Sequence, residues 1–72
     1  MAEGWSKSVY SKMANAVGYD PDTQELIITW RNGRRTAYQG VPEETALALS
    51  NAASVGEYLN NEIKGVYPFR YL

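Results

Sequence analysis

The sequence contains no cysteine and no histidine. Without cysteine there is no disulfide framework, no thiolate ligand for zinc and no cysteine nucleophile. Without histidine, the usual general base and the commonest metal-binding side chain are missing as well. A Gly-rich phosphate loop, a nucleophile elbow and a metal-ligand spacing are also absent. We therefore expect a protein that is not an enzyme and has no cofactor or metal site. The one catalytic alternative is an acid–base nuclease that uses Tyr, Arg and Glu.

Two further absences concern membranes and nucleic acids. No apolar run approaches the roughly 18 residues of a membrane span, and residues 1–5 lack the basic and apolar stretches of a signal peptide. We therefore expect a cytoplasmic protein with no membrane partner. The formal net charge is −1 and the isoelectric point is about 5.2. These values argue against the broad basic surface of a protein that binds nucleic acids regardless of sequence.

The length and composition predict one small globular domain. The chain has 72 residues, of which 44% are hydrophobic and 21% are charged, so it is not a disordered sequence. A chain of this size buries only about 60% of the surface that its unfolded form exposes, and such chains often gain core by oligomerising. We expect a flexible segment over residues 1–10, a single domain over residues 11–72, and a homo-oligomer.

Alternating and β-branched residues predict three strands. The first strand runs from Ser11 to Tyr19, the second from Glu25 to Arg31, and the third from Arg34 to Gln39. Asn32-Gly33 is the strongest short hairpin signal, and we interpret it as a two-residue turn. This turn places Arg31 opposite Arg34 and fixes the register of the second and third strands.

The predicted register divides the hairpin into two faces. The more apolar face, with Arg35 at its end, carries Leu26, Ile28, Trp30 and Ala37. The other face, expected to be open to solvent, ligand or partner, carries Ile27, Thr29, Arg31, Arg34, Thr36 and Tyr38.

The second half of the chain has helical periodicity. A first helix is predicted from Pro42 to about Ala53, and Ser54 caps a second helix that Gly65 ends. The predicted fold is an α+β domain in which a three-stranded antiparallel meander is followed by two helices packed on one face. The aromatic tail over residues 66–72 is too apolar to be a free end, so it packs on the domain or on another subunit.

Several spaced elements, in a fixed order, together carry a family resemblance: Val17-Gly18-Tyr19-Asp20-Pro21, Leu26, Asn32-Gly33, Tyr38-x-x-Val41-Pro42, Ala53-Ser54-x-Gly56-x-Tyr58-x-Asn60-x-x-Ile63 and Tyr67. They resemble the KTSC domain, a small domain named for the C-terminal domain of some lysyl-tRNA synthetases and also found as stand-alone bacterial and phage proteins. The resemblance covers about Ser11 to Tyr71. It implies an RNA-binding role, although the central Tyr-x-Tyr motif of the family falls here on Thr36-Ala37-Tyr38, so its first tyrosine is absent.

Three arginines around the hairpin turn form the main candidate for a ligand site. Arg31, Arg34 and Arg35 place guanidinium groups close together, and guanidinium matches the geometry of phosphate. Thr36 adds a hydroxyl beside them. The alternative is a solvated hairpin tip whose charges discourage edge-to-edge pairing.

Aromatic and amide side chains extend the candidate site. We expect Tyr38 and Tyr67 to stack a base and Asn60 to read a base edge. The alternatives are that these rings belong to the core or an interface and that Asn60 faces water. Arg70, in the aromatic tail, would complete a pocket shared with a neighbouring subunit.

These residues lead to a functional hypothesis. The sequence predicts non-enzymatic binding of a small phosphate-bearing ligand, a nucleotide or cyclic (di)nucleotide, by a homo-oligomer. By analogy with small phage proteins, it would act as a sponge that sequesters an immune second messenger in the host cytoplasm. The first alternative is an RNA-binding module. The second alternative is a protein-interaction or virion accessory domain.

Overall fold

The computed structural model describes residues 4–72, so the beginning of the expected flexible segment lies outside the described residues. The described chain forms one antiparallel sheet whose strands keep their chain order, β1-β2-β3-β4-β5. Two short helices stand between β4 and β5, and the second continues into a π-helical turn. The elements are β1 Trp5–Ser8, β2 Ala14–Asp20, β3 Glu25–Trp30, β4 Arg35–Tyr38, α1 Glu43–Ser50, α2 Val55–Tyr58, the π-helical turn Leu59–Ile63, and β5 Phe69–Tyr71.

The predicted α+β class, antiparallel sheet and two helices are confirmed, but the three-stranded meander is wrong because the sheet has five strands. β1 lies in the segment that was expected to be flexible, and Trp5 pairs there with Tyr19. β5 lies in the aromatic tail, where Tyr71 pairs with Thr36 of β4. Each added strand has only three or four residues. Such strands are too short to show a periodicity in the sequence.

The turn between β3 and β4 differs from the predicted two-residue turn. The amide of Trp30 donates to the carbonyl of Arg34 at 2.8 Å, and the amide of Gly33 donates to the carbonyl of Trp30 at 3.0 Å. The loop therefore has three residues, 31–33. Gly33 takes the left-handed conformation, with φ of 87°, that such a loop requires at its last position.

The additional loop residue moves the register by one position and exchanges the faces of β4. Tyr38 pairs with Leu26, and Thr36 pairs with Ile28. Thr36 and Tyr38 therefore lie on the face that carries the core, and the prediction that they lie on the open face is wrong. Arg35 lies on the opposite face, not at the end of the buried one.

The helices begin and end for local reasons. Pro42 precedes α1, and Glu43 and Glu44 lie in its first turn, where acidic groups stabilise the positive end of a helix dipole. α1 ends at Ser50, three residues before the predicted end. Ser54 Oγ accepts a hydrogen bond from the Glu57 amide at 3.4 Å and caps α2 as predicted.

The core lies between the helices and the β2–β3 part of the sheet. Ala46 and Leu49 of α1 are fully buried, and α1 packs against β2. Tyr19 adds a buried hydrogen bond, since its hydroxyl donates to the Val41 carbonyl at 2.6 Å. The fully buried side chains of the second helical segment are Leu59 and Ile63, with Val55 at 5% exposure.

In the β4–β5 part of the same sheet face, Tyr38 belongs to the core cluster, whereas β5 contributes no residue to that cluster. Phe69 and Tyr71 of β5 are 53% and 78% exposed there. This uncovered part of the face positions the candidate site. Within residues 4–72, no helix has the length and apolar character needed to cross a membrane.

Candidate functional site

A cavity of about 720 Å³ opens on the uncovered part of the sheet face. We call it the basic–aromatic pocket, because its lining has basic and aromatic side chains and no acidic one. The basic side chains are Arg31, Arg34 and Lys64, and the aromatic ones are Trp30, Tyr38, Phe69 and Tyr71. Thr36, Met13, Asn32 and Gly65 complete the lining.

The three-residue hairpin loop places two of the arginines. Asn32 Oδ1 accepts a hydrogen bond from the Arg34 amide at 2.9 Å, which fixes the exit of the loop. Arg31 Nε donates to the Ser11 carbonyl at 2.7 Å, and the Arg31 amide donates to the Met13 carbonyl at 3.1 Å. The hairpin tip is thereby tied to the loop between β1 and β2, and Arg31 and Arg34 are held at one end of the pocket.

Trp30 forms a wall of the pocket with a fixed orientation. Its Nε1 donates to Thr36 Oγ1 at 2.9 Å, so the buried threonine hydroxyl has a partner and the indole ring is held against β4. Lys64 Nζ lies 5.0 Å from the centroid of the Trp30 ring, which is within the range of a cation–π interaction.

Three rings follow one another along β4 and β5. The Tyr38 and Phe69 rings are 5.8 Å apart between centroids, and the Phe69 and Tyr71 rings are 5.4 Å apart in an edge-to-face arrangement. Tyr38 is only 4% exposed. Burial, and secondarily the neighbouring Tyr71, raises the pKa of the Tyr38 phenol, so it stays protonated near neutral pH and can donate a hydrogen bond.

The pocket cations have no carboxylate partner in the described part of the chain. The only salt bridge within residues 4–72 joins Arg70 to Glu25 at 3.1 Å, away from the pocket. Arg31, Arg34 and Lys64 therefore give the pocket a local positive charge in a chain whose net charge is −1. Such a site attracts anions.

Four of the predicted site residues come together in the pocket: Arg31, Arg34, Thr36 and Tyr38. Their arrangement is not the predicted one. Arg31 lies in the loop, so it does not pair with Arg34, and Trp30 is hydrogen-bonded to Arg34 in its place. Thr36 lies at the back of the pocket, and its hydroxyl accepts a hydrogen bond from the Trp30 indole.

The other four predicted residues lie elsewhere. Arg35 is on the opposite face of the sheet, and so is Arg70, which pairs with Glu25. Tyr67 is half-buried against the core. Asn60 lines a separate groove of about 560 Å³ between α2 and the β1–β2 loop.

The prediction missed four lining residues that matter for the chemistry: Trp30, Lys64, Phe69 and Tyr71. The Phe-x-Tyr spacing after Pro68 is a strand pattern that places Phe69 and Tyr71 on one face, so this signal was available. Trp30 was assigned to the core face, which is correct, but the pocket lies on that same face. Lys64 has no sequence signal beyond its position next to Gly65, because its placement depends on the π-helical turn.

The family model and a solved structure both name the KTSC domain family. The model of the KTSC domain family matches residues 10–67. A protein described as uncharacterised, from Stutzerimonas stutzeri strain A1501, is 33% identical over 64 residues, covering 89% of each chain. The crystal structure of a KTSC domain protein from Yersinia pestis is similar with a TM-score of 0.90 and 31% identity, over 97% of this chain and 99% of that one.

Proposed function

The chain belongs to the KTSC domain family, and from its basic–aromatic pocket we propose that it binds a small phosphate-bearing ligand, a nucleotide or a cyclic (di)nucleotide, without chemical conversion. The observation that carries the proposal is the combination of three cations with four aromatic side chains in one cavity without an acidic lining residue. Cationic side chains bind phosphate, and aromatic side chains stack on a base.

The basic end of the pocket would hold the phosphate. Arg31 is the first residue of the hairpin loop and Arg34 directly follows the loop. Both are exposed and without a carboxylate partner in residues 4–72. A guanidinium can bind two phosphate oxygens at once, which gives orientation as well as attraction. The Arg31 Nε bond to Ser11 holds that side chain in place before any ligand arrives, and a fixed side chain loses less entropy on binding.

The aromatic end would hold the base. The Phe69 and Tyr71 rings remain more than half exposed, so they offer contact surface to a planar ring. Stacking of a base on an aromatic side chain contributes about 1–3 kcal/mol. The cavity volume of about 720 Å³ lies within the roughly 300–1,000 Å³ that is common for small-ligand sites.

We extend the proposal to the assembly and the biological role. Two apolar side chains before and after β5 are largely exposed, Val66 at 59% and Leu72 at 51%. They would contact a second copy of this chain. A homo-oligomer of this kind could act as a sponge that removes a nucleotide signal from the cytoplasm. The absence of histidine and cysteine from the sequence fits retention of the ligand and not its turnover.

RNA binding is the second candidate function. The open rings of Phe69 and Tyr71 favour it, because unstacked bases of single-stranded RNA stack on such rings. An RNA ligand requires several phosphate contacts, so its affinity would fall steeply with salt concentration. A small nucleotide held at Arg31 and Arg34 would show a much weaker salt dependence.

Native mass spectrometry tests the main proposal. The protein is measured as purified and after addition of AMP, GMP, cyclic di-AMP and cyclic di-GMP, and one spectrum gives the oligomer number and the adduct mass. Arg34→Ala should weaken the adduct about tenfold, since a hydrogen bond to a charged group contributes about 1.5–3 kcal/mol. Arg35→Ala is the matched control, because this neighbouring residue lies on the other face of the sheet.

Two outcomes would contradict the proposal. In the first, the protein binds none of the four nucleotides, and the pocket face is then a docking surface for a macromolecule. In the second, Arg34→Ala and Arg35→Ala weaken the adducts equally, and the bound nucleotide is then held outside the basic–aromatic pocket.

A further inference from the structure

Lys64 occupies a position that the proposed ligand would need. Its Nζ lies 5.0 Å from the centroid of the Trp30 ring, and both side chains line the basic–aromatic pocket. The Trp30 ring is held by its bond to Thr36 Oγ1, so it presents a fixed surface to the pocket. A base that stacks on Trp30 therefore competes with the ammonium group of Lys64.

The π-helical turn is what brings Lys64 to this position. The amide of Lys64 donates to the carbonyl of Leu59 at 2.8 Å, five residues earlier, which is the hydrogen bond of a π-helix. Leu59 and Ile63 are both fully buried, so the wide turn is fixed to the core on one side. Lys64 leaves the helix with an extended backbone, and Gly65 follows with φ of 78°, which reverses the chain toward β5. π-Helical turns of this kind occur frequently at functional sites.

The ammonium group has no competing carboxylate in the described part of the chain. The one salt bridge within residues 4–72 joins two other residues, and the pocket lining contains no acid. A cation–π contact at an exposed site is a weak interaction, and Lys64 is exposed. A phosphate bound beside Arg31 and Arg34 is the stronger partner for the ammonium group, because hydrogen bonds between ionised groups are the strong ones.

We infer, on the basis of the proposed function, that Lys64 makes the pocket selective for ligands that carry both a phosphate and an aromatic base. The phosphate draws the ammonium group off Trp30, and this movement uncovers a ring face that the base contacts in addition to the Phe69 and Tyr71 rings. A nucleoside has no anionic group to attract the ammonium, so it must displace the cation at a net cost. The same side chain thus favours a nucleotide and disfavours the corresponding nucleoside.

The test compares AMP with adenosine in a protein in which Trp30 is the only tryptophan. Trp5→Phe provides this background, and both ligands are titrated by Trp30 fluorescence with calorimetry as a second readout. Lys64→Met keeps an apolar stem of similar length and removes the charge. We expect its dissociation constant for AMP to rise at least fivefold and that for adenosine to fall at least twofold.

Two further variants serve as controls. Lys64→Arg keeps the positive charge, so its dissociation constants for both ligands should stay within about twofold of the parent. Lys12→Met removes a lysine that lines the other groove, and it should leave both constants unchanged. These variants separate a role of the charge at position 64 from a general loss of positive charge.

The outcomes separate the two proposals. If the parent binds AMP and Lys64→Met changes both constants by the same factor, or changes neither, the inference about Lys64 is overturned and nucleotide binding stands. If neither the Trp5→Phe protein nor the unmodified protein binds AMP, GMP, cyclic di-AMP or cyclic di-GMP, both proposals are overturned. Opposite changes for AMP and adenosine support the inference, since a merely structural role would shift both in one direction.

Discussion

Trp30 Nε1 donates a hydrogen bond to Thr36 Oγ1 at 2.9 Å. This bond links β3 to β4 through their side chains and holds the indole ring as a wall of the pocket. It forms only because the three-residue loop turns Thr36 onto the same face as Trp30. In the two-residue turn that the sequence suggests, the threonine would lie on the opposite face. The hairpin loop therefore determines whether the pocket has a fixed indole wall.

Removing this hydrogen bond should loosen the indole. Thr36→Val keeps the side-chain shape and removes the acceptor, so we expect the free energy of unfolding to fall by about 1 kcal/mol. Thr29→Val is the matched control, since Thr29 is half-buried on the opposite face without this bond. Urea unfolding measures both, and equal stability of the two variants would show that the bond contributes nothing.

The positive φ of Gly33 should make this position sensitive to replacement by alanine. A Cβ at Gly33 would meet nothing within 4 Å, so Gly33→Ala costs only the strain of φ at 87°. We expect a loss of about 1–2 kcal/mol in the free energy of unfolding.

Gly18→Ala provides the comparison for Gly33→Ala. Gly18 lies within β2, where a Cβ would make ordinary contacts at 3.6 Å or more. This variant should therefore be neutral or slightly stabilising, because alanine lowers the entropy of the unfolded chain. Thermal or urea unfolding compares the two, and a Gly33→Ala protein as stable as Gly18→Ala would contradict the three-residue loop.

Alkaline pH should destabilise the fold through Tyr38. Burial is the main cause that raises the pKa of this phenol in the folded state, whereas in the unfolded chain it titrates near its ordinary value of about 10. The stabilising contribution is therefore complete below about pH 10 and is lost as the pH rises toward the folded-state value. Tyr19 contributes in the same direction, with burial again the main cause and Glu43 and Asp20 adding to it.

The pH effect can be measured by urea unfolding between about pH 8 and 11. Tyr38→Phe should reduce the loss of stability at high pH, because phenylalanine does not titrate. Tyr10→Phe is the control for the removal of a phenol, since Tyr10 is 96% exposed. An identical profile for all three proteins would show that burial of Tyr38 does not control its protonation.

The exposed ring of Tyr71 should contribute to ligand affinity. Tyr71→Ala removes one stacking surface from the pocket, and we expect about a tenfold weaker binding of AMP, from the roughly 1–3 kcal/mol of base stacking. Tyr10→Ala removes an even more exposed tyrosine from the groove that Asn60 lines and should have no effect. Calorimetry measures the AMP affinity of each variant. Equal affinities of Tyr71→Ala and Tyr10→Ala would show that the base binds away from β5.

The sequence predicted the parts of the fold that follow from local patterns. Ser54 was correctly predicted to cap the second helix, where its Oγ accepts a hydrogen bond from the Glu57 amide. The second and third strands were found at nearly their observed positions. These features depend on residues close in the chain, so the sequence contains enough information for them.

The features that the sequence did not reveal depend on small differences or long-range contacts. Asn32-Gly33 suits both a two-residue and a three-residue loop, and one residue decides which face Thr36 and Tyr38 occupy. β1 and β5 become strands because β2 and β4 offer edges to pair with. The candidate site shows the same division, since Arg31 and Arg34 were identified locally whereas Lys64 arrives through the packing of the π-helical turn.

Heteronuclear NMR is the most direct test of nucleotide binding in the basic–aromatic pocket. Amide shifts of the labelled protein are recorded during titration with AMP and cyclic di-AMP. We predict saturable shifts confined to the hairpin loop 31–33 and Arg34, to β4 and to residues 64–71, with the opposite sheet face and the groove lined by Asn60 unaffected. Shifts centred on that groove or on the opposite face, or no shift with either nucleotide, would contradict nucleotide binding in this pocket.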